Sequence, residues 1–158
     1  MTSTPVVSDR AQIYTAMLRR YLTTSSDNSF PERFPVAFVV VTARSDAAKP
    51  TPEGSAVTEP ISDADQAAIL EALRDVGRVE FVATFESVVE GEKPSCPRVR
   101  DGGIVVTLGT IPAGTPDRQE IGIFGFVACL GATWLTYVVE RVPSGWAVMG
   151  TTGSRAIA

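Results

Sequence analysis

Apolar side chains recur at helical spacing near the start of the chain, at Ile13, Tyr14, Met17, Leu18, Tyr21 and Leu22. Asp9, with Gln12 three residues on, reads as their N-terminal cap, so the pattern predicts a helix over 9–23. Arg19 and Arg20 lie on its other face, and the polar run Thr23 to Ser29 ends it. Val36 to Ala43 is a short β-branched run, the pattern of a central strand buried on both faces. A second capping box, Ser62 with Asp65, opens a helix through Ile69, Leu70, Leu73 and Val76 to a stop at Gly77. Asp63 and Asp65 sit at its positive end and Arg74 near its negative end.

From Val79 the period changes to two. Val79, Phe81, Ala83 and Phe85 alternate with Glu80, Val82, Thr84 and Glu86, which predicts a strand with one face on the core. Gly102-Gly103 turns the chain into Ile104 to Ile111, and the turn at Pro112 to Pro116 returns it through Glu120 to Cys129. Thr133 to Val142 and Trp146 to Thr151 form a last hairpin around Pro143-Ser144-Gly145. Residues 44–61 and 87–101, rich in proline and small polar residues, read as surface excursions.

The predicted fold class is α+β: a mixed, mainly antiparallel curved sheet of about six strands with two helices packed on one face. The second helix crosses over between the first two strands and makes them parallel, while the later strands meander antiparallel. With 158 residues the chain supports one core, expected over residues 9–154, with 1–8 disordered and 155–158 loose. No internal repeat is present.

Ile121 to Val139 holds 19 consecutive uncharged residues, long enough for a membrane-spanning helix. Gly122, Gly125 and Gly131 interrupt it, Val, Ile, Thr and aromatics dominate it, and no basic cluster flanks it. Two strands broken near Leu130-Gly131 fit better, so no membrane partner is expected.

Composition narrows the function classes. A net charge of −4 and scattered arginines argue against a nucleic-acid partner, and 44% hydrophobic residues argue against disorder. Met1 to Arg10 carries no basic segment followed by an apolar one, so the expected compartment is cytoplasmic. Cys96 and Cys129 could pair if their Cα atoms come within about 5.5 Å, but in a reducing cytosol separate thiols are expected.

The chain has no histidine, which removes Ser-His-Asp and Cys-His catalysis and histidine-ligated metals. Two cysteines are too few for a thiolate zinc site, and no P-loop, EF-hand or G-x-S-x-G occurs. Asp63 and Asp65 are accounted for by capping, and Gly150 to Ser154 has too little chain after it for a phosphate-binding helix. No catalytic residue, metal or cofactor is therefore expected.

The aromatics remain. Phe124, Phe126, Trp134, Tyr137 and Trp146 crowd adjacent C-terminal strands, where alternate members face the helices or the opposite side. Core packing is one reading. The other is an apolar pocket between sheet and first helix, lined by Tyr14, Tyr21 and some of these rings. Asp27 or Glu86 would stand near its mouth as a carboxyl able to move protons.

The final hairpin, Trp134 to Arg141 followed by Gly145-Trp146-Ala147-Val148, resembles the closing strands of nuclear-transport-factor-2-like domains, the ketosteroid-isomerase and polyketide-cyclase group. That resemblance covers the last fifth of the chain and implies a curved sheet around a cone-shaped pocket, often in homodimers. It carries over no catalytic residue, since the family's Asp-His pattern is missing and the 44–61 segment departs from its order. The whole chain also resembles single-domain proteins of high-GC actinobacteria, which implies no activity. The expectation is a non-catalytic domain that binds an apolar small molecule or a protein partner. The alternative is a histidine-free isomerase or cyclase acting on an apolar small molecule.

Overall fold

In a computed structural model the described residues are 6–30, 33–51, 54–91, 96–112, 114, 116–129 and 131–158. Helix α1 runs Asp9–Thr23, and the Ser8 hydroxyl caps it by accepting from the Ala11 amide at 3.0 Å. Its apolar stripe, Ile13 to Leu22, is buried as the spacing predicts. A four-residue helix, α2 (Ser25–Asn28), follows and closes at Ser29 in the left-handed conformation, φ 66°. Ser62 likewise caps α3 (Asp63–Ala72) by accepting from the Asp65 amide at 3.1 Å. The regular helix ends five residues short of Gly77, because residues 73–76 tighten into turns around buried Leu73.

The described residues form ten strands, here in chain order. They are β1 (Ala37–Val40), β2 (Thr42–Arg44), β3 (Thr58–Pro60), β4 (Val79–Val82), β5 (Val89–Glu90), β6 (Arg98–Val99), β7 (Ile104–Leu108), β8 (Arg118–Ala128), β9 (Gly131–Val142) and β10 (Gly145–Ile157). The main sheet has the order β10-β9-β8-β7-β1-β4 and curls into a half-barrel. β7 to β10 meander antiparallel, as expected. β1 is parallel to both β4 and β7, one more parallel pair than the sequence suggests. The reason is the connection: after Val82 the chain does not turn back in a hairpin but crosses over β1 to reach β7 on its other side.

The two crossovers lie on opposite faces. α3 joins β1 to β4 on the face that α1 covers, and a strap of residues 83–91 and 96–103 joins β4 to β7 on the other. They travel in opposite directions along the sheet, so opposite faces give them the same hand. Two cores result. Ala37, Val39, Ile104, Val106, Ile121 and Ile123 pack under the helices, while Val36, Phe38, Val40, Val105 and Phe126 pack under Val88 and Val99 of the strap.

The uncharged run 121–139 is β8 and β9, and among the described residues no helix is long and apolar enough to cross a membrane. Thr42–Arg44 and Thr58–Pro60 pair into a two-stranded ribbon, which gives the 44–61 excursion a root that the loop reading lacked. β10 continues through Ile157, and the Ala158 amide donates to Ala132 at 2.9 Å, so residues 155–158 are part of the sheet rather than a loose end. Of the expected disordered segment 1–8, residues 1–5 lie outside the described residues, and Ser8 is ordered as a cap.

Candidate functional site

Because β8 and β9 are antiparallel and in register, Phe124 stands directly opposite Trp134, and Thr107 of β7 stands opposite Phe124. All three point to the face away from the helices. Phe85, on the strap, stacks over Phe124 with ring centroids 6.0 Å apart and packs at a 55° tilt against Phe126 at 5.4 Å. Phe124 and Trp134 stack at 5.1 Å with planes 15° apart. Phe126 is buried, but Phe85, Phe124 and Trp134 keep partial exposure. They border a groove of about 580 Å³ floored by Val40, Thr107, Phe124 and Trp134. That volume falls within the range of small-molecule sites.

One wall of the groove is Ala83 to Glu86 and the other is Thr42 with the arm residues Arg44, Asp46, Ala47, Lys49 and Pro50. Ala48 holds the arm down: a Cβ on Gly122 of β8 would meet the Ala48 amide nitrogen and Cβ at 2.8 Å, so only glycine permits the approach. The groove opens just beyond the carboxyl ends of the parallel strands β1, β4 and β7, beside the strand where the two crossovers part to opposite faces. Open sheets with parallel strands bind ligands in that position.

The rim is polar. The Arg44 guanidinium donates to both oxygens of the buried Asp46 carboxylate, at 2.9 and 3.1 Å. That hydrogen-bonded pairing raises the Arg44 pKa further, against a smaller opposing effect of burial. Lys49 on the arm and Glu86 across from it give the rim one further charge of each sign.

The helix-facing residues form a different arrangement. Tyr14, Tyr21, Tyr137 and Trp146 pack in the core under α1, all at most 8% exposed. A Cβ on Gly125 would meet Tyr21 ring carbons at 2.8 Å, so this glycine is the seat of the Tyr21 ring. The Tyr14 hydroxyl donates to the Gly109 carbonyl at 2.8 Å, and the Tyr21 and Thr133 hydroxyls pair with each other. Tyr137 donates to the buried Asp27 carboxylate at 2.8 Å, Arg20 donates to the same oxygen at 3.0 Å, and Arg155 stands 3.7 Å from the other. Burial raises the pKa of all three tyrosines, and for Tyr137 its hydrogen bond to Asp27 adds to the rise. Trp146 donates from its indole to Asp9 at 3.1 Å, which, ahead of Arg141, holds the Asp9 carboxyl below its usual range.

The seven aromatics singled out from sequence thus divide between the two faces. Phe124, Phe126 and Trp134 lie on the strap side with Phe85, and Tyr14, Tyr21, Tyr137 and Trp146 lie on the helix side. Asp27 lies with the second group, sealed in a hydrogen-bonded cluster, and Glu86 with the first. A second cavity, of about 360 Å³, lies at the opposite ends of β1 and β4 between Leu22, Phe30, Phe34 and Val79. Of its two arginines, Arg33 donates to the Val76 carbonyl and Arg78 pairs with Glu80. Among the described residues no group of three or more acidic or sulfur ligands could hold a metal ion.

No known family, curated protein or solved structure matches this chain.

Sequence reasoning missed Phe85 and the arm. Phe85 was visible in the alternation from Val79, but where the strand ends and the strap begins is not a matter of period. Cys96 and Cys129, expected as separate thiols, are joined in a disulfide with Cα atoms 5.0 Å apart, which is a correction to that expectation. The two are 33 residues apart in sequence, and only the strap's return across the sheet brings them together.

Proposed function

We propose that this protein is a non-catalytic binding domain that takes a small, flat, largely apolar molecule in the groove between arm and strap. One observation carries the reading: Phe85, Phe124 and Trp134 form a continuous aromatic stack that stays partly exposed along a groove of about 580 Å³. Aromatic surface left open in a concave, polar-rimmed site is available for stacking. The bidentate Arg44–Asp46 pair and the threonines at the rim would orient a ligand's polar edge.

The alternative, a histidine-free isomerase or cyclase, is favoured by the Tyr137–Asp27 pair. Both groups are buried and engaged with each other, Asp27 also with two arginines, and neither lines either cavity. Under the nuclear-transport-factor-2-like resemblance a pocket would lie between helices and sheet. Here tyrosines occupy that space, so the reading assigns the ligand to the other face. The disulfide favours an oxidising surrounding over the cytoplasm.

Titration of isotope-labelled protein with 1-anilinonaphthalene-8-sulfonate, followed by amide shifts, tests the proposal. Saturable shifts at Val40, Thr107, Phe124 and Trp134 support it. Shifts confined to the second cavity near Leu22 and Val79, or no saturable shift, would overturn it.

A further inference from the structure

We propose that the Cys96–Cys129 disulfide is a thiol-exchange site that latches the strap, so that reduction by low-molecular-weight thiols loosens one wall of the binding groove. Its consequence for binding rests on the groove reading above.

Both cysteine residues are exposed, so a thiolate can reach the bond. What the disulfide holds is otherwise lightly held. Among the described residues β5 and β6 share two residue pairs, β6 pairs with β8 at Arg98 and Ala128, and the Cys129 amide donates to Pro97 at 2.8 Å. Inward of these contacts, Val88 and Val99 are buried at 1% and 2% exposure, and Phe85 leads directly into the short turn Glu86–Val88. The bond therefore anchors the outer part of the strap, whose inner part, beyond Val88, is a groove wall, while α1 and its core lie on the far side of the sheet. Cys129 has φ 53°, a conformation that a non-glycine residue holds only when its surroundings fix it.

The chemistry balances with a monothiol as reductant. One thiolate attacks a sulfur, the Cys96–Cys129 bond breaks, a mixed disulfide forms and the other cysteine leaves as a thiolate. A second thiolate attacks the mixed disulfide, freeing the protein sulfur and releasing the oxidised reductant. Two electrons pass to the protein, whose two thiolates take up protons according to pH.

The test compares native protein, protein held in reduced glutathione, and the Cys96→Ser/Cys129→Ser variant. Alkylation of the folded protein with mass detection reads reduction. Hydrogen exchange reads the strap, and titration with 1-anilinonaphthalene-8-sulfonate reads the groove. The expected result is two alkylated cysteines, faster exchange at 86–91 and 96–100 with α1 unchanged, and probe affinity weakened by roughly two- to twelvefold, the factor of one aromatic contact. The variant should match the reduced protein. Failure of thiols to reduce the folded protein, unchanged strap exchange, or exchange rising across the whole fold would each overturn the latch. If the strap loosens but the oxidised protein never binds the probe, the exchange site stands, and the groove reading falls with its control of binding.

Discussion

Phe124 of β8 and Trp134 of β9 are direct cross-strand partners, stacked at 5.1 Å on the sheet face that the helices leave uncovered. Such a pair adds about 0.5–1.5 kcal/mol beyond the area it buries. Both rings are only half-buried, so truncating either should cost little stability and much binding. Phe124→Ala is expected to lower unfolding free energy in urea by about 1–2 kcal/mol, below the range for a fully buried ring, while weakening probe binding by at least the roughly two- to twelvefold of one aromatic contact. Loss of the fold, or unchanged probe affinity, would show that the stack belongs to the core instead.

Removal of the hydroxyl in Tyr137→Phe takes one donor from a buried carboxylate and should destabilise by about 1–3 kcal/mol. Asp27→Ala leaves the buried Tyr137 hydroxyl without its acceptor and the partly exposed Arg20 and Arg155 without their shared partner, so the loss should exceed that of Tyr137→Phe and reach about 3 kcal/mol. Neither change should alter probe affinity. Urea denaturation with parallel probe titration checks both, and an affinity change in Tyr137→Phe would revive the enzyme alternative.

Two glycines of one strand, on opposite faces, should separate stability from binding. Gly125→Ala drives a methyl into the Tyr21 ring in the helix-side core, and overpacking of that kind costs about 1–3 kcal/mol. Gly122→Ala pushes on Ala48 and lifts the arm. It should weaken the probe while moving the melting temperature less than Gly125→Ala does, as calorimetry alongside titration would show.

All three tyrosines of the chain have raised pKa values through burial. The folded state therefore holds its phenolic protons more tightly than the unfolded state. That contribution to stability is fully present below the unfolded value of about 10 and declines as pH rises above it. Ultraviolet absorbance should show less tyrosinate in folded than in unfolded protein at pH ~10.5, with further tyrosinate appearing cooperatively on alkaline unfolding. A tyrosine titrating near its ordinary value in folded protein would contradict the packing.

The period of the sequence made much of this legible. α1 follows the spacing from Ile13 to Leu22, α3 starts at its Ser62 cap whereas α1 is capped by Ser8 and not by Asp9, which is its first helical residue, and β1 follows its β-branched run. The alternation in β8 and β9 also implied that their aromatics divide between the two faces, though not which ring lies on which. What it could not tell is which face would be closed. That depends on where the strap and arm lie, and both are built from proline-rich, polar segments without period. Their positions are set by contacts distant in sequence: Ala48 on Gly122, Phe85 on Phe124, Cys96 with Cys129.

The chain has two tryptophans, Trp134 in the groove and Trp146 in the core under α1. In Trp146→Phe, all tryptophan emission comes from the groove. Titration of that variant with 1-anilinonaphthalene-8-sulfonate should quench Trp134 saturably, with energy transfer to the probe and loss of both on adding Phe85→Ala. Emission from Trp134 that does not change with probe, while the probe still binds, would place the ligand elsewhere and contradict the account.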